Sequence, residues 1–134
     1  MTRSRVSLLI LLCLAGCLWR SYANILSVHV DVLTQTAAKL VAVVQANRMP
    51  AAEDMAEYTY PSKRAREFLH QFRGDSQRRS YQQLGELLDR YDAMVHEVDA
   101  ARAQGQVPGA ARLTAQREAL QALAEAIRAQ LQRE

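Results

Sequence analysis

The sequence predicts an all-α protein, a small bundle of three long helices with one or two short connecting helices. Three observations point there. Apolar residues recur at spacings of three and four over long stretches, the period of an amphipathic helix. Ala is abundant while the 134 residues hold only 5 Gly and 3 Pro, a composition that favours helix because Ala carries the smallest ordering cost. The Gly and Pro that do occur fall between the periodic segments, where they act as punctuation.

The first long helix is expected from Asn24, a good capping residue, to about Arg48. Leu26, Val30, Leu33, Ala37, Leu40, Val41 and Val44 form its stripe, and Ile25, Val28 and Val32 widen it. The alternation of Val28, Val30 and Val32 with His29 and Asp31 is strand-like. The stripe nevertheless continues for five turns, and no partner strand follows, so helix is preferred.

Met49-Pro50 ends that helix. A short helix, Ala51 to Tyr58, follows, with Glu53 and Asp54 placed to complement its N-terminus. Tyr60-Pro61 predicts a second break, and Lys63 to Phe72 a third piece with Ala65, Phe68, Leu69 and Phe72 on one face. Gly74 closes it, and the next helix begins at Asp75 or Ser76.

That helix carries the clearest pattern. Tyr81, Leu84, Leu88, Tyr91, Val95 and Val98 repeat as a heptad seam, flanked by Leu87 and Met94. Gly105 and Val107-Pro108-Gly109 make a stop and turn. The last helix runs from about Ala110 to Gln132, with Leu113, Leu120, Leu123, Ile127 and Leu131 apolar. A turn this short implies a C-terminal antiparallel helical hairpin. The last helix is Ala-rich and thin, so it is expected to reach past the bundle and fray at its end.

The first residues have a different character. Met1 to Arg5 is basic, and Val6 to Ala15 is almost entirely apolar. This is the pattern of a secretory signal, too short to span a bilayer, which needs about 20 apolar residues. Leu14-Ala15-Gly16-Cys17 closes the run. It resembles the lipobox of bacterial lipoproteins, in which the cysteine is acylated and the signal is cut just before it. The resemblance covers 17 residues and implies three parts: a cleaved signal at 1–16, a lipidated tether at 17–23, and a helical domain at 24–134. Leu18 follows the cysteine where lipoproteins retained in the inner membrane often carry Asp. The implied place is therefore the cell envelope, at the outer membrane facing the periplasm. Two or three acyl chains on Cys17 make the attachment effectively permanent, because each buried methylene contributes about 0.8 kcal/mol. Trp19 and Tyr22 suit either the lipid interface or packing on the first helix.

Charge and motif content narrow the function. Lys and Arg number 17 against 14 Asp and Glu. Arg3 and Arg5 lie in the expected signal, so the remainder is nearly neutral and nucleic acid is not an expected partner. Both cysteines, Cys13 and Cys17, lie at the start, so the body has no disulfide framework. No nucleophile elbow, phosphate loop or zinc-protease signature occurs, and no catalytic residue or cofactor is predicted.

Two polar patterns remain. Asp89, Asp92, His96 and Asp99 share one stripe of the heptad helix. Groups so spaced can contribute to a metal or small-ligand site, although they commonly form a solvated stripe of intrahelical pairs. Lys63, Arg64, Arg66, Arg73, Arg78 and Arg79 make a basic run that suits anionic lipid headgroups, an acidic partner or solvent. The expected function is a membrane-tethered, non-enzymatic adaptor, pilot or accessory subunit of an envelope complex. It would bind a protein partner through the exposed side of the first helix.

Overall fold

The computed structural model describes the backbone of residues 2–134 and the side chains of residues 7–14 and 21–134. Among the described residues there are four α-helices and no strand: α1 (Thr2–Gln45), α2 (Met55–Gln71), α3 (Arg79–Ala103) and α4 (Ala110–Arg133). Single 3-10 turns, Ala52–Asp54 and Arg73–Asp75, precede α2 and α3. Each helix packs on its neighbours in the chain, and α4 returns against α1 to close the ring. Short connections between successive helices make this an up-and-down arrangement.

The core is the set of stripes that the sequence marks. Leu26, Val30, Leu33, Ala37, Leu40, Val41 and Val44 of α1 are buried, as are Leu84, Leu88, Tyr91, Val95 and Val98 of α3. Leu87 and Met94, which flank the heptad seam, are fully buried as well. α3 lies between α2 and α4 and covers an apolar arc wider than a two-helix seam. Leu113, Leu120, Ala124, Ile127 and Leu131 complete the core from α4.

The bundle has four helices rather than three because Pro61 does not end a helix. α2 runs through it for 17 residues. Pro61 removes one N–H and leaves the Glu57 carbonyl without its helical donor. One residue on, the Tyr58 carbonyl accepts a hydrogen bond from the buried Tyr91 hydroxyl of α3. Tyr58, Ala65 and Phe68 anchor α2 on both sides of the proline. Tertiary packing therefore overrides the local break.

α1 also differs from expectation. It is one helix of 44 residues, so Asn24 lies inside it and 18–23 is helical rather than a loose tether. Tyr22 belongs to the core, at 1% exposure, and not to an interface with lipid. Ile25, Val28 and Val32 do not widen the buried stripe. They face outward, at 38%, 58% and 40% exposure. By length and composition Ser21–Gln45 is apolar enough to cross a membrane, but its inward stripe is covered by the other helices.

Two helix ends use the same device. Asn47 (φ 57°) and Gly105 (φ 67°) adopt the left-handed conformation just past α1 and α3. Arg48 N–H donates to Val43 O and Gln106 N–H to Ala101 O, closing Schellman motifs that satisfy terminal carbonyls.

Candidate functional site

Three regions of the fold carry side chains arranged beyond what packing alone needs: one end of the bundle, a groove between α2 and α3, and the outer face of α1.

The first is the end of the bundle where α1 enters. Tyr22 packs against Phe68 and Phe72, with ring centroids 5.8 and 5.7 Å apart. The Arg78 guanidinium lies over the Tyr22 ring, 4.7 Å from its centre. The Tyr22 hydroxyl is 2.8 Å from Ser80 Oγ. The Ser80 N–H and hydroxyl donate to the two carboxylate oxygens of Glu134, at 3.1 and 2.6 Å. Arg78, at the start of α3, supplies no side-chain cap. Glu134, from the end of α4, does so instead, with its negative charge at the positive end of the α3 dipole. The expected fraying of α4 is corrected here, because Leu131 is buried and Glu134 is held by Ser80. Burial raises the Tyr22 phenol above its ordinary value.

The second region is an open groove of about 640 Å³ lined by Thr59, Ser62, Lys63, Arg66, Glu67, His70 and Asp92. Arg66 lies between Asp89 and Asp92, 3.4 Å from the Asp89 carboxylate and closer to that of Asp92. This pair of contacts ties α2 to α3. On the neighbouring side of α2, His29 of α1 packs on Phe68 with ring centroids 5.2 Å apart. Burial, and then the nearby positive charge of Arg64, lower the His29 imidazole below its ordinary value.

The third region is the outer face of α1. Leu8, Leu9, Ile10, Leu11, Leu12 and Leu14 are all more than half exposed. Further along, Ile25, Val28 and Val32 continue the apolar surface on the side away from the core. Among the described residues the other exposed large apolar side chains are Tyr60 and Val107.

The sequence-predicted positions fall into these regions unevenly. Cys17, the expected acylation site, lies outside the described residues. Asp89 and Asp92 both face Arg66, while Asp99 pairs with Arg102 at 2.7 Å and His96 is exposed. Among the described residues no three His, Cys, Asp or Glu side chains form a group that could hold a metal ion.

The basic run is not one face. Arg64 pairs with Glu67 at 2.9 Å, Arg66 with the two aspartates, and Arg78 with Asp75 at 2.8 Å. Arg73 contacts His70, and Lys63 and Arg79 are exposed. The run is divided between α2, the 3-10 turn and the start of α3, so adjacency in sequence did not become one continuous basic face.

Comparison with protein-family models, curated proteins and solved structures gives no match to this chain. Function rests on the residues themselves. Sequence reasoning missed Ser80 and Glu134, which meet beside Tyr22 only because α4 returns to α1 and α3. The one local signal was the acidic last residue of a helix running antiparallel to the start of another.

Proposed function

We propose that the chain is a lipid-anchored protein of the bacterial envelope whose helical bundle acts as a non-enzymatic adaptor. One observation carries the reading. Apart from Tyr60 and Val107, the large apolar side chains that the fold leaves exposed among the described residues are all on α1. They divide by position. Leu8–Leu14 belong to the segment read as a signal that ends at Cys17. Ile25, Val28 and Val32 remain on the folded domain as a stripe at helical spacing, of the kind that docks a partner's apolar groove or helix.

Mass spectrometry of the native protein tests the anchor. The expected species begins at Cys17 and carries acyl groups, and Cys17→Ser abolishes them and releases the protein from the membrane fraction. An intact leader or an unmodified thiol at position 17 removes the reading. Photo-crosslinking from position 28 in the native envelope tests the adaptor role. A discrete partner is expected there, lost in Val32→Glu with the helical content unchanged.

A second reading has its own observation. The α2–α3 groove has a mostly apolar surface formed by side-chain stems, with Asp92, Lys63, Arg66 and His70 contributing to its lining, which suits a small ligand with an apolar body and a charged group. Ligand-induced thermal shifts of the purified protein distinguish it. A shift abolished by Arg66→Gln favours this reading, and no shift with any ligand tried removes it.

A further inference from the structure

We infer that the end of the bundle from which α1 emerges is a docking face for anionic lipid headgroups, and that it holds the bundle upright on the bilayer. The inference rests on the anchor reading above and adds an orientation to it.

The placement follows from the topology. Tyr22 of α1 is bound to Ser80 at the start of α3, packs on Phe72 at the end of α2, and reaches Glu134 at the end of α4 through Ser80. These residues mark one end of the bundle. The segment of α1 before Tyr22 leaves from that same end, and its described side chains, Leu8–Leu14, are exposed and apolar. Position 17 is five residues before Tyr22, which corresponds to about 7.5 Å of helical rise. A lipid at position 17 therefore brings this end within roughly a Debye length, about 8–10 Å, of the headgroups.

This end carries a net positive charge, although the Glu134 carboxylate, bound by a neutral serine, keeps its negative one. Asp75 is paired with Arg78, and the Glu134 carboxylate is bound by Ser80. Arg73, Arg79 and Arg133 are exposed there, and among the described residues none of them is paired with a carboxylate. The opposite end has no such excess. Arg102 pairs with Asp99, Arg112 pairs with Glu97, and the exposed Glu53 and Asp54 accompany Arg48. The bundle is thus electrostatically polarised along its axis, with the positive end beside the apolar segment. A surface that is cationic around an apolar anchor matches an anionic bilayer, in which both terms act together.

The test uses the full acylated chain in vesicles of phosphatidylcholine alone, or with one-third phosphatidylglycerol. Flotation reports the anchor, and hydrogen–deuterium exchange reports the orientation. The chain is expected to float with both lipids. Exchange across residues 72–81 is expected to slow with the anionic lipid only, by about fivefold for each arginine engaged, and to recover in high salt. Replacing Arg73, Arg79 and Arg133 by Gln together should erase the difference without affecting flotation, whereas Arg48→Gln at the far end should leave it intact. Equal exchange with both lipids in floating vesicles overturns the proposal while the anchor stands. Failure to float removes the anchor reading and the orientation with it.

Discussion

At the scale of single residues, the Tyr22–Ser80–Glu134 chain is the most consequential polar arrangement, because its middle member is fully buried. Ser80→Ala would leave the Tyr22 hydroxyl without its partner and remove one of the two Ser80 donors to Glu134, a loss of about 1–3 kcal/mol that urea denaturation would register. Titration adds two signed expectations. Burial raises the phenols of Tyr22, Tyr58 and Tyr91 above their ordinary value near 10. The folded state then keeps protons that the unfolded state releases. This stability is complete below about pH 10 and falls as pH rises beyond it, so alkaline unfolding should begin there. His29 is shifted the other way, by burial and by Arg64. Its contribution is complete above the unfolded value near 6.5 and is lost as pH falls below it. The midpoint of denaturation should therefore fall between pH 7 and 5, and His29→Leu should reduce that fall. The heptad marked Tyr91 for the core, but the polar chain around Tyr22 was not identifiable in advance. Tyr22 and Ser80 are 58 positions apart, and only the closed ring of helices brings them together.

At the scale of the element, the helices were legible wherever periodicity extended over several turns. The α3 heptad and the inward stripe of α1 are the clearest cases. Legibility failed where a local rule met tertiary packing. Pro61 is a breaker by every local criterion, yet Tyr58, Ala65 and Phe68 on either side of it are buried against the neighbouring helices. Pro61→Ala restores a backbone donor to α2 and is expected to raise stability by about 1–3 kcal/mol, measured as a shift in the denaturation midpoint. Gly85 offers a second such test. It lies inside α3 with no atom near an added Cβ, so Gly85→Ala should stabilise by about 0.5–1 kcal/mol. The basic run shows the converse limit. Composition reveals the number of charges on a segment, whereas the pairing of Arg66 with Asp89 and Asp92 depends on which helix lies opposite.

At the scale of the whole molecule, the all-α class was readable from the sequence, but the number of helices was not, because one short segment turned out to be a full member of the bundle. The core is continuous across all four helices. Leu88→Ala, at its centre, should therefore cost about 2–5 kcal/mol and lower the cooperativity of melting by calorimetry. The packing of α4 on α1 has a kinetic consequence. Arg128 and Asp31, which bridge these helices at 2.6 Å, are 97 residues apart. Closing that seam requires α4 to be present, so a chain that stops before Ala110 leaves part of the α1 stripe uncovered even where α2 packs on it. The bundle should therefore stay incompletely packed until α4 is available, and then fold in one step.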